Sequence, residues 1–300
     1  MAGPTATRDD VYPTRTVDGP SLLPRVDPVV WGDGTDGPLD PEMVASYEDC
    51  GYLVLPGLLP PTTLQEIGAE LARLAVDDTV KARPQAVIEP GSDELRSLFQ
   101  VHLGDDAVGR LSRDPRLVSI ARQLLGDQVY IHQSRINLKP GFRGKEFYWH
   151  SDFETWHAED GMPRMRAISC SVLLTPNHSF NGPLLTIDRS HHQFVSCPGE
   201  TPSDHYLTSL RRQDLGVPDD DSLRELVRAG RINSCEGQPG TVVFFDCNVM
   251  HGSNGNVTPF ERHNVFLVYN AVSNALVEPY GAPAPRPEFI AARDVRPIPE

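Results

Sequence analysis

The chain has no apolar run near the roughly 18 residues that a helix needs to cross a bilayer. Its first twenty residues contain no apolar stretch of the kind that forms a secretory leader. No membrane span is therefore expected, and the cytoplasm is the expected location. Cysteine is scarce and scattered: Cys50, Cys170, Cys197, Cys235 and Cys247 make an odd set of five with no CxxC pair. That argues against a disulfide framework or a zinc knuckle and leaves reduced thiols. Basic side chains are in short supply, with 27 Lys and Arg against 41 Asp and Glu, a net charge of −14. Binding a phosphate backbone needs clustered cations, so nucleic acid is not an expected partner. No Ser-His-Asp or Cys-His arrangement is recognisable, so no side chain is expected to act as nucleophile or general base. No internal repeat is visible.

What is present is an ordinary globular composition, 39% hydrophobic and 23% charged over 300 residues. That suits one large domain or two small ones. Residues 1–38 are rich in Pro, Gly and Asp without periodicity and read as an irregular arm. Asp40-Pro41 supplies an N-cap and a first-turn proline for a short helix ending before Gly51. YLVLPGLL from Tyr52 reads as a buried strand and turn. A helix from Thr63 is predicted by the capping-box spacing of Thr63 and Glu66, with Leu64, Ile67, Leu71 and Leu74 on one face. Another begins at Asp114-Pro115, buries Leu117, Ile120 and Leu124, and ends before Gly126.

After Gly126 the texture changes to short β-rich runs: 128–138, 147–152, 166–176, 182–190, 240–252 and 262–272. A helix over Ser222–Arg228 interrupts them, and Asn181-Gly182 marks a tight turn. Helices first and many strands after predict an α+β fold: a jelly-roll, cupin-like double-stranded β-helix flanked by helices. The expected division is a single domain over 39–281 with its barrel at about 128–275. A Pro-rich segment, 282–300, reads as an extended tail or lid.

Chemistry concentrates at His150, Asp152 and His251. In a strand, residues two apart point the same way, so His150 and Asp152 of FYWHSD can address one metal ion. His251 ends a β-run roughly 100 residues later, and a barrel can bring the two segments together. Two imidazoles and one carboxylate on one face of an octahedral ion leave three open positions, the pattern of non-haem Fe(II) oxygenases. HxD alone is weak evidence, and His157-Ala158-Glu159 competes with it, although WHAEDGMP reads as a loop turning at Gly161 and Pro163. Arg262, eleven residues after His251, opens the next β-run. A buried Arg there can grip the distal carboxylate of 2-oxoglutarate with two charge-assisted hydrogen bonds.

The stretch 147–167, FYWHSDFETWHAEDGMPRMRA, together with QSRINLKPG (133–141), NGPLLTIDRSH (181–191) and FFDCNVMHGSNGN (244–256), resembles the phytanoyl-CoA dioxygenase-like superfamily. Within it, the likeness is to the ectoine hydroxylases, and it runs from about Asp40 onward. The resemblance implies Fe(II)-, 2-oxoglutarate- and O2-dependent oxidation of ectoine, a small-molecule substrate, to 5-hydroxyectoine, with succinate and CO2 released. It implies iron binding by His150, Asp152 and His251 and cosubstrate binding by Arg262, with Ser253, Lys139, Asn137 and Trp156 assisting. It implies ectoine binding by Gln133, Thr155, Trp156 and Arg286, the last in the Pro-rich tail, and it is compatible with a homodimer. Two other readings stay open on the residues: a sister oxygenase acting on another small amino acid or secondary metabolite, and a non-catalytic cupin-like metal-binding protein. Asp152 argues against a halogenase, and Arg262 against a pure metal binder.

Overall fold

A computed structural model describes residues 10–17, 19–89, 93–210 and 214–299. Part of the expected N-terminal arm (1–9 and 18) and the last residue of the C-terminal segment lie outside the described residues.

The helices start where the chain offers a cap. Asp40 accepts from the Met43 amide at the head of Pro41–Cys50, and Gly51 closes that helix in the left-handed region at φ 86°. Asp114 and Gly126 bracket Pro115–Leu125 in the same way. Asp219 caps Asp220–Ala229, which extends slightly past the predicted 222–228. The long helix differs from expectation. It runs Pro61–Val76, two residues earlier than Thr63, with Pro60 as an N-cap that makes no side-chain bond. Pro61 fits the first turn because its missing N–H would have no partner there, so the Thr63–Glu66 capping box does not form. The apolar face predicted for this helix is nonetheless the buried one, through Ile67, Leu71 and Leu74.

The described strands are β1 (Ser21–Pro24), β2 (Tyr52–Leu55), β3 (Ala86–Ile88), β4 (Leu95–Phe99), β5 (Val129–Lys139), β6 (Phe147–His150), β7 (Ala167–Leu173), β8 (Leu184–Ile187), β9 (Gln193–Ser196), β10 (Ile232–Cys235), β11 (Val242–Asp246), β12 (His251–Ser253) and β13 (Arg262–Ala271). A seven-stranded sheet has the order β2-β11-β7-β13-β5-β4-β3, and a four-stranded sheet the order β10-β8-β12-β6. All their pairings are antiparallel. The two sheets face one another across a polar cavity, while the outer face of the large sheet packs on the helices through Leu117, Ile120, Leu124, Ile136, Val265 and Leu267. This is the expected α+β jelly roll, with two corrections: the arm read as irregular holds β1, paired antiparallel with β9, and the large sheet takes in β2, β3 and β4, upstream of the predicted 128–275 barrel.

Three local readings change. The run 240–252 is two strands in different sheets, β11 and β12, separated by a turn at Cys247–Met250. Asn181-Gly182 does lie in a turn, but it links β7 to β8 across the two sheets and closes no hairpin. Gly182 sits at φ 77°, and a Cβ there would lie 2.9 Å from Lys139 Nζ. The Pro-rich segment is no loose tail. Ile298 joins the main core, the Ile298 amide donates to Val129 O, and the Ala292 amide donates to His132 O. It lies as a strap along β5. Among the described residues no helix is long and apolar enough to cross a membrane.

Candidate metal centre and the cavity around it

β6 and β12 are neighbours in the small sheet, and His150 and His251 are directly opposed in their register. Opposed residues of an antiparallel pair project to the same side, and the two imidazoles stand 4.2 Å apart between centroids. Asp152 arrives differently from the predicted strand alternation. β6 ends at His150, and Asp152 opens a short helix, Asp152–Thr155, that continues as a π-turn over Trp156–Asp160. The chain bend at Ser151 swings the carboxylate back. Its oxygens lie 3.7 Å from His150 Nε2 and 3.9 Å from His251 Nε2.

The three side chains are arranged as ligands. Nδ1 of His150 meets Tyr148 O at 2.8 Å, and Nδ1 of His251 meets Val249 O at 3.0 Å. With Nδ1–H donating to those carbonyls, each Nε2 keeps its lone pair for a metal. Burial, with His251 alongside, pushes the His150 imidazole down to about 3, so it is neutral at physiological pH. Burial alone would raise the Asp152 carboxyl. The neighbouring His251, His150 and Arg135 and a hydrogen bond from Ser169 Oγ (3.0 Å) outweigh it and hold the group ionised. His150, Asp152 and His251 bring one donor atom each to within 4.8 Å of one another, and no other such cluster exists among the described residues.

The competing pair falls away. His157 is fully buried, with Nδ1 on Met162 O and Nε2 on Asp10, and its ring is stacked on Tyr280. Glu159 pairs with Arg15 and His205. Both are structural ties of the N-terminal arm, and their segment is a π-turn where a loop was expected.

Two lobes open from the metal site. One is lined by Arg262, Lys139, Asn137 and Ser253 with His251, the other by Gln133, Thr155, Trp156, Asp152 and Arg286; Arg135, Phe147, His150 and Leu210 border both. In the first lobe Arg262 opposes Lys139, and Asn264 opposes Asn137, across β13 and β5. Arg262 donates to Asn137 Oδ1 (3.0 Å), but its buried Nε has no acceptor among the described residues. Burial and the nearby Arg135 pull this guanidinium down to about 10. Lys139 donates to Ser253 Oγ and Asn254 O, and burial beside Arg262 and Arg96 pushes it down to about 6. Buried cations short of anions are the complement of a small dianion.

In the second lobe Gln133 Nε2 donates to Ile290 O, which ties it to the strap. Trp156 packs edge-on against His132 and borders this lobe alone, so its placement lends no support to the expected cosubstrate contact. Arg286 was expected to bind substrate from an extended tail or lid. It is instead buried and forms a two-pronged pair with Asp160, at 2.7 and 2.5 Å. The segment 281–288 around it is pinned, so the arginine arrives pre-oriented.

Sequence reasoning missed Arg135 and Ser169. Arg135 stacks over the Phe266 ring at 4.9 Å, and its Nε also lacks an acceptor among the described residues. A signal existed: Gln133, Arg135, Asn137 and Lys139 are every second residue of one strand and share a face. Ser169 reaches Asp152 from β7, and nothing local announces that contact.

An iron(II) ion chelated by 2-oxoglutarate fits this architecture, on the evidence of two free imidazole lone pairs, an ionised carboxylate and an orphaned buried guanidinium. The fold and cofactor set define a non-haem iron, 2-oxoglutarate-dependent dioxygenase. The family model described as Phytanoyl-CoA dioxygenase (PhyH) matches residues 47–264, and the chain belongs to that family. It is 52% identical over 294 residues to an ectoine dioxygenase of Bordetella bronchiseptica, with 96% of each chain covered. It is 52% identical over 285 residues to the ectoine dioxygenase of Sphingopyxis alaskensis, covering 95% of this chain and 93% of the other. The crystal structure of the S. alaskensis enzyme with 2-oxoglutarate and 5-hydroxyectoine superposes with a TM-score of 0.84 at 47% identity, covering 97% and 96% of the two chains.

Proposed function

We propose that this protein hydroxylates ectoine to 5-hydroxyectoine with Fe(II), 2-oxoglutarate and O2. The observation that carries the reading is a ligand triad standing between one lobe of anion-short cations and a second lobe lined by Gln133, Thr155, Trp156 and an Arg286 already paired with Asp160. The named relatives at about half identity support ectoine as the substrate.

His150, Asp152 and His251 would hold the iron, which when bound supplies the activation of O2. The overall balance is ectoine, 2-oxoglutarate and O2 in; 5-hydroxyectoine, succinate and CO2 out. Arg262 receives the distal carboxylate of 2-oxoglutarate, with Lys139, Ser253 and Asn137 completing that end. Arg135, between the lobes, adds positive potential beside the metal carboxylate. Gln133 and Trp156 flank the cationic amidine ring of the substrate, the indole offering its π-face. Thr155 lies beside them, and Arg286 takes the substrate carboxylate. The strap and the π-turn cover the second lobe and keep water from the reacting carbon. A cytoplasmic location and a homodimer belong to the same reading, testable by fractionation and light scattering.

The decisive experiment is anaerobic loading with Fe(II) and 2-oxoglutarate, then O2 in the presence of ectoine. The expected result is one succinate per product molecule and a product one oxygen atom heavier than ectoine. Succinate without that product would assign the enzyme to another substrate. No succinate would return it to a metal-binding protein.

A further inference from the structure

Arg286 has two hydrogen-bonding edges. Its Nε and Nη2 are both committed to the two oxygens of Asp160, while Nη1 has no hydrogen-bond partner among the described residues. The residue also borders the substrate lobe. The guanidinium is therefore held by one edge with its far end left over. Asp160 is itself fixed. It is completely buried at the end of the π-turn, and its Oδ2 lies 3.3 Å from His132 Nε2. Its backbone oxygen accepts from Arg293 Nη2 at 2.8 Å. Gly161 then turns the chain at φ 80°, where a Cβ would strike Val277 O at 2.1 Å. Neither partner of the pair can drift.

Two physical consequences follow. A fork held at one edge loses little entropy when its other end binds a carboxylate. The pair is also electrically neutral, so a zwitterion can enter without leaving an uncompensated buried charge. We propose that Asp160 is a positioning residue that clamps Arg286 and balances its charge, making the second lobe selective for small zwitterions that carry a carboxylate. This rests on the reading of that lobe as the ectoine site.

The test is the ratio of kcat/KM for ectoine to that for its carboxamide analogue, in which the carboxylate is neutral. A ratio measured within one variant is insensitive to the fraction of folded enzyme. The wild type should prefer ectoine strongly, and Asp160→Asn should reduce the ratio at least tenfold through KM for ectoine. KM for 2-oxoglutarate should stay within about twofold, since the first lobe has its own cations. If Asp160→Asn gives too little folded protein, Asp160→Glu carries the same expectation, because the longer side chain shifts the fork by about one methylene while keeping its charge partner. An unchanged ratio in the variant tested would overturn the proposal. Should wild-type enzyme turn over neither compound, the substrate reading itself fails, which is a separate result.

Discussion

The two lobes share Arg135, Phe147, His150 and Leu210, yet they handle charge in opposite ways. In the cosubstrate lobe the cations outnumber their partners. Arg262 leans on a neutral amide, and Lys139 on a hydroxyl and a carbonyl. In the substrate lobe the cation already has its carboxylate, Asp160 on Arg286, and Glu159 has Arg15 and His205. The first lobe waits for an anion to supply the missing charge. In the second, Arg286 is balanced by Asp160 before anything enters. On the proposed reading, a dianionic keto acid and a zwitterionic substrate would be sorted by charge state at one metal site.

This contrast can be broken at its shared point or in either lobe. Asp152→Ala should have the largest effect, abolishing hydroxylation and iron binding together. Near-normal product formation by that variant would discard the ligand set. Next, Arg262→Leu should raise KM for 2-oxoglutarate by about 10²–10⁴, the equivalent of the roughly 3–5 kcal/mol attached to one partner of a buried charge pair. KM for ectoine should hardly move. Because Arg262 has only a neutral amide partner, Asn137, before 2-oxoglutarate binds, the melting temperature of the free protein should fall little. A parallel rise in both KM values would mean that the lobes are not separable.

The cosubstrate lobe should also betray itself through pH. Lys139 sits near 6 in the free protein and faces Arg262, Arg96, Glu146 and Glu89. An anion bound beside it raises that value, so above about pH 6 the complex holds more protons than the free enzyme. Affinity for 2-oxoglutarate should therefore fall as pH rises from about 6 toward the ordinary lysine range, by up to about tenfold per unit. Calorimetry on wild type and Lys139→Met checks this, and a slope that survives in the variant assigns the proton elsewhere. The smallest effect is expected from Gln133→Ala. Loss of one neutral hydrogen bond should raise KM for ectoine by about 2–10-fold with 2-oxoglutarate unaffected. Equal weakening of both would show that Gln133 supports β5 and the strap and does not contact the substrate.

The His-X-Asp spacing, the distant histidine and the arginine eleven residues on were readable because ligand chemistry restricts residue type more tightly than packing does. The barrel was readable because period-two runs and turn residues are local signals. The helix start at Pro61 was missed because a polar capping box competed with a proline that needs no partner. Asp152 was placed on a strand because alternation is the default for a run that begins with aromatics. Its helical turn depends on Ser151 and on a Phe153 amide that donates to Cys247 O, a contact 94 residues distant.

By itself the chain determined which atoms could bind iron, which arginine could hold a dicarboxylate, and that strands would follow helices. Only the tertiary structure decided how those groups are charged and held. It set His150 against His251 by strand register, left Arg262 Nε without an acceptor among the described residues, and turned a proline-rich tail into a strap that brings Arg286 onto Asp160. The reason is physical. Residue type sets what a side chain can bond, whereas its ionisation and orientation depend on neighbours that folding supplies from segments more than a hundred residues away.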